Sequence, residues 1–323
     1  MPYSHHSHSG QFCRHATGDL EEIVLEAIRC GFEVYGLTEH VPRYRTEDLY
    51  PEEAEIDLQA LHDQFNAFIH EAHRLKTQYA SQVTLLVGLE TDFITSIDLD
   101  QLESLLERHR GRIEYIVGSI HHVGGIPIDF DIDMFEKSLN KQSGRSERER
   151  MENFLCSYFD AQFQLLQRFH PEIIGHFDLC RLYHPEIQLS DYPRSWELLK
   201  RNISYATEYG ALFEVNAAAF RKNWNTAYPA EDVLKIILQY GGRLALSDDS
   251  HGPHAVGLNY HRVLEYLRRE GVAELWFLQA CKSPNKAGRN IQAVKAPDEW
   301  VNSILASQWD QVVYDNSYGL DQC

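Results

Sequence analysis

The chain has 323 residues, of which 43% are hydrophobic and 24% are charged, and its formal net charge is −18. This composition indicates a soluble protein with enough apolar residues for a large core. The negative charge disfavours nonspecific nucleic-acid binding, which depends on clustered lysine and arginine. No stretch reaches the roughly 18 apolar residues of a membrane span, and the polar N-terminus does not resemble a signal peptide. We therefore expect a cytoplasmic protein without nucleic-acid or membrane partners; its oligomeric state is not determined by the sequence.

Strand-like apolar segments alternate with amphipathic segments along the whole chain, which is typical of repeated β–α units. Six strand-like segments end in a histidine or a carboxylate: 1–8, 33–40, 84–90, 115–121, 173–176 and 243–251. A further strand, LFEVN, ends at Asn216. The predicted helices are 18–30, 54–78, 100–110, 150–169, 196–209 and 230–240. Barrel enzymes carry their chemistry on the C-terminal ends of several strands, so this order predicts an α/β barrel enzyme.

Two segments depart from the repeated pattern. Residues 127–150 contain IDFDID and SGRSERER, and we interpret them as a loop insertion over the barrel mouth. A C-terminal extension begins near residue 282, with a short helix predicted over 301–307 and an end that we expect to pack loosely. An α/β barrel of roughly 200 to 400 residues usually forms one unit, so we predict a single domain over residues 1–323.

The N-terminal segment HHSHSGQFCRH carries the first candidate metal ligands. His6 and His8 are two residues apart, and on a strand their imidazoles would point to the same face and reach one metal ion. One alternative is an affinity-tag remnant or a solvated terminus, which the direct continuation into FCRH disfavours. His15 needs its own explanation, and one interpretation of the C-x-H pair formed by Cys13 and His15 is a small structural zinc site. The six cysteines otherwise lack CxxC spacing, which predicts reduced thiols.

Later strand ends supply further candidate ligands. His40 follows an apolar strand in GLTEH, and Glu90 ends LLVGLE. Burial of a carboxylate at such a position is costly unless a cation compensates it, and a carboxylate bridging two metal ions meets that requirement. The side chains of His121 and His122 point to opposite faces, so only one of them can point inward. The spacing from the preceding glycine favours His121 as the candidate ligand.

The last candidate ligands lie in EIIGHFDLCR and LALSDDSHGPH. His176 follows an apolar run in the first of these motifs. Asp249 and His251 form a D-x-H arrangement in the second, which supplies one oxygen and one nitrogen ligand from a single turn. Asp248 remains an alternative to Asp249.

The chain resembles the PHP (polymerase and histidinol phosphatase) superfamily from His6 to His251. The resemblance rests on six motifs that follow one another in the order seen in that superfamily: HSHS, GLTEH, GLE, GSIHH, GHFD and SDDSH. The FC-x-H, PIDFD and EVN-x-x-x-FRK sequences resemble its monofunctional histidinol-phosphate phosphatases. The resemblance implies a distorted (β/α)7 TIM-like barrel with three divalent metal ions, zinc, iron or manganese, at the C-terminal ends of the strands.

The resemblance also implies a ligand set for each ion. The first would take His6, His8, Glu90 and Asp249, the second Glu90, His121 and His176, and the third His15, His40 and His251. The sequence departs from the usual D-G-H-x-H opening, since Ser4 and His5 precede His6. A shift of the first ligand pair by one residue therefore remains an alternative.

The implied reaction is hydrolysis of L-histidinol phosphate to L-histidinol and phosphate, a late step of histidine biosynthesis. A hydroxide bridging two metal ions would attack phosphorus, because such ions lower the pKa of bound water from about 15.7 to roughly 7. A guanidinium is expected to bind the phosphoryl oxygens, and Arg181 is the first candidate, followed by Arg221 or Lys222 and then by Arg43. For each cation the alternative is a structural ion pair.

Two further roles have candidates in the loops. His254 is a candidate proton donor to the leaving group, with a solvated loop histidine as the alternative. Asp129 or Asp131 is a candidate partner for the ammonium group of the substrate, with a solvated acidic loop as the alternative.

Three other functions fit the same motifs less well. A phosphatase of this superfamily acting on another small phosphate monoester is the nearest. A metal-dependent nuclease would expose a basic groove, which this acidic sequence does not indicate. A catalytically silent metal-binding protein would lack some ligands, whereas all the ligand types are present.

Overall fold

The computed structural model describes residues 2–298 and Trp300. Its strands are β1 (Tyr3–Ser4), β2 (Ser7–His8), β3 (Val34–Leu37), β4 (Thr84–Glu90), β5 (Tyr115–Gly118), β6 (His122–Val123), β7 (Ile126–Pro127), β8 (Ile173–Ile174), β9 (Leu212–Asn216), β10 (Arg243–Ser247), β11 (Ser250–His251), β12 (Trp276–Ala280) and β13 (Ile291–Lys295). Its helices are α1 (Leu20–Arg29), α2 (Leu58–Gln78), α3 (Ser96–Arg108), α4 (Ile132–Asn140), α5 (Glu147–Phe169), α6 (Pro193–Tyr209), α7 (Ala218–Arg221), α8 (Glu231–Gln239) and α9 (Tyr260–Arg269).

Seven strands form one parallel sheet in the order β1-β3-β4-β5-β8-β9-β10, which follows the order of the chain. The two edge strands of this sheet, β1 and β10, approach each other. A hydrogen bond of 2.8 Å from the Ser4 hydroxyl to Asp248 Oδ1 connects their ends. Just beyond, β2 pairs in parallel with β11, and His8 lies opposite His251. The result is a nearly closed seven-stranded α/β barrel, which confirms the predicted fold class.

The six helices predicted from the sequence are present as α1, α2, α3, α5, α6 and α8, with ends that differ by a few residues. In α1 the Glu22 carboxylate accepts a hydrogen bond from the Asp19 backbone N–H over 2.8 Å, which stabilises the first turn. The buried face of α1 consists of the apolar residues at helical spacing, Leu20, Ile23, Val24 and Ala27. The hydrophobic periodicity therefore located both the helix and its core-facing side.

The barrel interior is filled by large side chains below the mouth. Tyr115 is fully buried, and its hydroxyl donates to the His5 carbonyl over 2.8 Å. A Cβ atom at Gly36 would lie 2.0 Å from the Tyr115 hydroxyl oxygen, so only glycine fits at this position of β3. This packing separates the functional end of the barrel from its opposite end.

The segment 127–150, which we expected to be a loop insertion, contains α4. The Asp131 carboxylate accepts a hydrogen bond from the Met134 N–H over 2.7 Å and caps this helix, and Phe135 is fully buried. No described helix has the length and apolar character needed to cross a membrane.

The described part of the C-terminal extension packs against the preceding strand. Strand β13 pairs antiparallel with β12, and Ile291 is buried. The expectation of loose packing concerns the end of the chain, which lies outside the described residues. The helix predicted over 301–307 lies outside the described residues.

Candidate metal centre

Glu90, the last residue of β4, lies at the centre of a histidine cluster in the barrel mouth. Its side chain is 1% exposed, and both carboxylate oxygens contact imidazole nitrogens. Oε2 contacts His6 Nε2 at 3.1 Å, His8 Nε2 at 3.2 Å and His40 Nδ1 at 3.2 Å, and Oε1 contacts His121 Nε2 at 3.1 Å and His176 Nε2 at 3.0 Å. These contacts place Glu90 where one carboxylate can serve two metal ions.

Asp249 faces the same cluster from the end of β10. Its Oδ1 atom lies 3.6 Å from His6 Nε2, 3.7 Å from His8 Nε2 and 3.6 Å from His251 Nδ1. Asp248 points away, since its carboxylate accepts hydrogen bonds from Ser4 and from the Gly257 N–H. Between the two aspartates, the geometry favours Asp249 as the ligand.

His5 belongs to the core rather than to the cluster. Its ring stacks on Tyr3 with centroids 5.2 Å apart, and its Nε2 accepts a hydrogen bond from the Leu278 N–H over 3.0 Å. Burial lowers the pKa of His5 to about 3, so the ring is neutral. The geometry therefore favours His6 and His8 over a pair shifted by one residue.

A second group of possible ligands adjoins the first. The Cys13 sulfur and one nitrogen each of His15, His40 and His251 all lie within 4.8 Å of one another. His40 thus contacts Glu90 on one side and the second group on the other. Burial raises the pKa of the Cys13 thiol well above its usual value.

Carboxylates behind the cluster orient the histidine rings. The hydrogen-bonded pairs are Glu214 with His6 Nδ1 at 2.8 Å, Asp129 with His121 Nδ1 at 2.8 Å, and Glu52 with His15 Nδ1 at 2.9 Å. Glu39 lies 3.5 Å from His8 Nδ1 without an aligned hydrogen bond. A carboxylate that accepts from Nδ1–H leaves the Nε2 lone pair directed into the cluster, which is the arrangement common to histidine ligands of metal ions.

Glu214 was missed as a site residue in the sequence. It is fully buried on β9, and besides His6 it accepts hydrogen bonds from the His176 N–H over 2.7 Å and from Asn216 Nδ2 over 2.9 Å. Asn216 also donates to Asp249 Oδ2 over 3.0 Å. The available signal was a glutamate inside the otherwise apolar strand LFEVN, since a buried carboxylate requires partners.

The charges in the cluster shift the acidity of its members strongly. Burial opposes protonation of His6, but Asp249, Glu90 and Glu214 outweigh it and raise the pKa of His6 well above its usual value. Burial would raise the pKa of Glu90, but the neighbouring histidines hold it well below its usual range. The pKa of His40 is lowered, chiefly by burial. Positive charge is thus strongly favoured around Glu90.

The residues present fit a group of divalent metal ions. Four buried ring nitrogens form no aligned hydrogen bond, although carboxylate oxygens are near. They are Nε2 of His6, Nε2 of His8 and both nitrogens of His40. Buried polar atoms normally have hydrogen-bond partners. Ligand atoms that converge on one point without hydrogen bonds to each other therefore indicate a shared metal ion. Mixed imidazole and carboxylate ligands suit zinc, iron and manganese.

The family is decided by a match over two thirds of the chain. The model of the PHP domain matches residues 4–218. The chain belongs to the PHP domain family.

Two relatives of this chain are named as histidinol-phosphatases. A probable histidinol-phosphatase of Schizosaccharomyces pombe is 44% identical over 93% of this chain and 96% of its own length. A histidinol-phosphatase of Saccharomyces cerevisiae is 31% identical over 82% of this chain and 88% of its own length.

Solved structures share the fold. The hisK protein of Listeria monocytogenes has a TM-score of 0.68 at 22% identity and covers 80% of this chain and 98% of its own. The histidinol phosphate phosphatase of Lactococcus lactis, solved with zinc, L-histidinol and phosphate, has a TM-score of 0.57 at 17% identity and covers 85% and 95%.

The predicted role of Arg181 in phosphate binding does not fit its place in this PHP domain. The side chain is 1% exposed, and its guanidinium donates to both Asp178 and Asp232 and to the Ile187 carbonyl. All its nitrogen atoms have internal acceptors. Arg181 is therefore a structural ion-pair residue, the alternative raised from the sequence.

Arg43 is also engaged internally. It is 3% exposed, pairs with Asp92, lies 3.6 Å from a Glu53 oxygen and stacks over the Tyr50 ring at 4.7 Å. Burial opposes its charge, but Asp92 outweighs burial and raises its pKa.

Arg221 lies beside the candidate metal ligands. Its guanidinium donates to the Asp248 carbonyl over 3.0 Å and to the Asp249 carbonyl over 2.6 Å. It forms no salt bridge with any described residue. Lys222 follows it and is exposed. Of the predicted cations, Arg221 is the one that the structure places against the cluster without a salt bridge to a described residue.

The predicted loop residues have different surroundings. Asp129 is 22% exposed and its Oδ2 orients His121, so this carboxylate acts first on a ring of the cluster. Asp131 caps α4 and does not face the cluster. His254 is exposed in the turn Pro253–Ala255, and its role as proton donor stays a prediction.

Proposed function

We propose that this PHP domain is a metal-dependent phosphatase that hydrolyses L-histidinol phosphate to L-histidinol and phosphate, as a cytoplasmic enzyme of histidine biosynthesis. The observation that carries the proposal is the contact of the buried Glu90 carboxylate with five imidazoles at the mouth of the barrel. The 44% identity to a probable histidinol-phosphatase along nearly the whole chain supports the substrate.

We propose that three divalent ions bind in this mouth, with zinc as the first choice. The ligand sets are His6, His8, Glu90 and Asp249; Glu90, His121 and His176; and His15, His40 and His251. The zinc present in the Lactococcus lactis enzyme supports the choice of metal. Such ions activate water for attack on phosphorus and neutralise the nonbridging oxygens.

The protein residues position the reactants. Glu214 and Asp129 accept from the Nδ1 atoms of His6 and His121 and keep these rings aimed at the mouth. Asn216 fixes the second carboxylate oxygen of Asp249. Because water would be the nucleophile, no side chain needs to attack phosphorus, and the reaction would proceed without a covalent enzyme intermediate.

Arg221 is the proposed phosphate-binding cation. Its two backbone contacts leave other N–H groups of the guanidinium able to donate to phosphoryl oxygens. Substitution Arg221→Lys keeps the charge but removes the planar pair of donors, so KM for the phosphate ester should rise about tenfold while the metal content stays constant. An unchanged KM would remove Arg221 from this role.

The decisive measurement is phosphate release from L-histidinol phosphate by the purified protein. It should be made before and after chelation, and again with zinc, manganese or iron added back. His121→Ala should lower phosphate release strongly because it removes a proposed ligand. His70→Ala is the matched control, since His70 is an exposed histidine on α2.

The outcomes separate the hypotheses. Metal-dependent release that His121→Ala abolishes and His70→Ala preserves supports both the site and the substrate. Faster release from other monoesters would keep the site and refute the substrate. No metal-dependent release under any reconstitution would refute the proposed phosphatase.

A further inference from the structure

We propose that Cys13 is a protein ligand of the third metal ion, so that this ion is bound by one thiolate and by His15, His40 and His251. The inference rests on the proposed function in that it requires the mouth of the barrel to hold metal ions. It adds a sulfur ligand that would make the third site chemically different from the other two.

The first argument is the convergence of four donors. The Cys13 sulfur lies 3.1 Å from His15 Nε2, and these two atoms and one nitrogen each of His40 and His251 fall within 4.8 Å of one another. A tetrahedral zinc ion with bonds of about 2.0 to 2.3 Å separates its ligand atoms by about 3.3 to 3.6 Å. The largest separation among the four atoms thus exceeds the tetrahedral spacing by no more than about 1.5 Å, which modest side-chain shifts can close.

The second argument is the way in which the protein holds the thiol. Cys13 is 6% exposed and lies in the loop between β2 and α1, where its N–H donates to the Ser9 carbonyl over 2.8 Å. The Thr17 N–H donates to the His251 carbonyl over 3.1 Å and ties the same loop to the segment of another ligand. Backbone contacts thus fix the sulfur beside the histidines.

The third argument concerns the aim of the histidine rings. Glu52 accepts from His15 Nδ1 over 2.9 Å, which leaves Nε2 directed at the sulfur and the cluster. His251 Nδ1 lies 3.0 Å from the Asp249 carbonyl oxygen, which likewise directs its Nε2 away from its own backbone. Both ring nitrogens of His40 are buried, and neither has an aligned hydrogen bond.

A thiolate with three imidazoles is a ligand set that tetrahedral zinc and cobalt prefer and that manganese does not. On binding, the ion would displace the thiol proton to solvent and form a metal–sulfur bond, without any oxidation or reduction. The third site is therefore expected to select zinc even when manganese is in excess, whereas the sites around Glu90 offer only nitrogen and oxygen donors.

The test is cobalt substitution, which reports the sulfur bond without reference to activity. The wild-type protein loaded with cobalt should show a thiolate-to-cobalt charge-transfer band in the near ultraviolet. Cys13→Ser should lose this band. Cys281→Ser is the matched control and should keep it, because Cys281 is half-buried beyond β12 and lies in none of the donor groups.

Zinc retention gives a second readout on the same variants. After dialysis against a weak chelator, Cys13→Ser should hold one equivalent of zinc fewer than the wild-type protein and Cys281→Ser. X-ray absorption at the zinc edge of the wild-type protein needs no variant, and should show a sulfur neighbour at about 2.3 Å. This measurement decides the question if Cys13→Ser fails to fold.

The results distinguish this inference from the proposed function. A protein that hydrolyses L-histidinol phosphate with bound metal but shows no sulfur neighbour overturns the assignment of Cys13 alone. A band that persists in Cys13→Ser does the same. A wild-type protein that binds no metal overturns the proposed function together with this inference.

Discussion

Substitution of Glu214 by glutamine tests whether a buried carboxylate behind the cluster controls metal affinity. Glu214 accepts hydrogen bonds from His6 Nδ1, the His176 N–H and Asn216 Nδ2 at 2.8, 2.7 and 2.9 Å. Glutamine has one acceptor oxygen and one donor amide in the same shape. If the glutamine oxygen keeps its hydrogen bond with His6 Nδ1, the glutamine NH2 group faces two other donors, the His176 N–H and Asn216 Nδ2, and these two donors lose their acceptor.

The magnitude follows from these contacts. A buried donor left without an acceptor costs about 1 to 3 kcal/mol, so the free energy of unfolding should fall by about 2 kcal/mol or more. Loss of the carboxylate behind a histidine ligand typically weakens metal binding about 10- to 100-fold, which corresponds to about 1.4 to 2.7 kcal/mol. Phosphate release at limiting zinc should fall by the same factor.

The assay is zinc competition against a chromogenic chelator, combined with urea unfolding of the metal-free protein. Glu172→Gln is the matched control, because Glu172 is a buried carboxylate before β8, where its Oε2 accepts from the Ile116 N–H. It should lose stability but not zinc affinity. Wild-type zinc affinity in a folded Glu214→Gln protein, or an equal loss in Glu172→Gln, would refute the reasoning.

Three further predictions concern stability and the choice of ligand. Arg181→Met should lower the free energy of unfolding by about 3 to 5 kcal/mol in urea, because it leaves the buried Asp178 unpaired, without changing zinc content. Asp249→Asn should reduce zinc content, whereas Asp248→Asn should reduce stability by about 1 to 3 kcal/mol with zinc retained; the reverse pattern would exchange their roles. Burial lowers the pKa of His109, so below about pH 6.5 the unfolded chain binds this proton more readily than the folded chain does. The free energy of unfolding should therefore fall as the pH falls, and the loss should be larger for the wild-type protein than for His109→Gln in urea unfolding at pH 7, 6 and 5. Equal slopes would contradict this last prediction.

The pattern of strand ends predicted the barrel and most of the candidate ligands, whereas His15 was assigned only through the resemblance to the PHP superfamily. A parallel barrel brings the C-terminal ends of its strands to one mouth, so residues such as His40 and Glu90 become neighbours although they are 50 positions apart. Hydrophobic periodicity likewise located α1 and its buried face, because helix geometry repeats locally. The ligand assignments themselves remain predictions until metal binding is measured.

The partners of charged side chains could not be predicted in the same way. Arg181 looked suitable for phosphate because it follows the His176 motif, but Asp232, far along the chain, lies beside its guanidinium. Asp129 was one of two candidate partners for the substrate ammonium, and its contact with His121 was not predicted. A charge next to a ligand in sequence is not necessarily next to the substrate in space.

The sequence by itself determined the order of strands and helices, the end of the barrel at which polar residues gather, and the residue types available there, because these depend on local periodicity and on parallel strand direction. Only the tertiary structure decided which carboxylate supports which ring. Glu214 contacts His6 from a strand more than 200 residues away, and Cys13 joins His251 through the closure of β2 on β11. Such contacts depend on the register and closure of the barrel, to which every strand contributes.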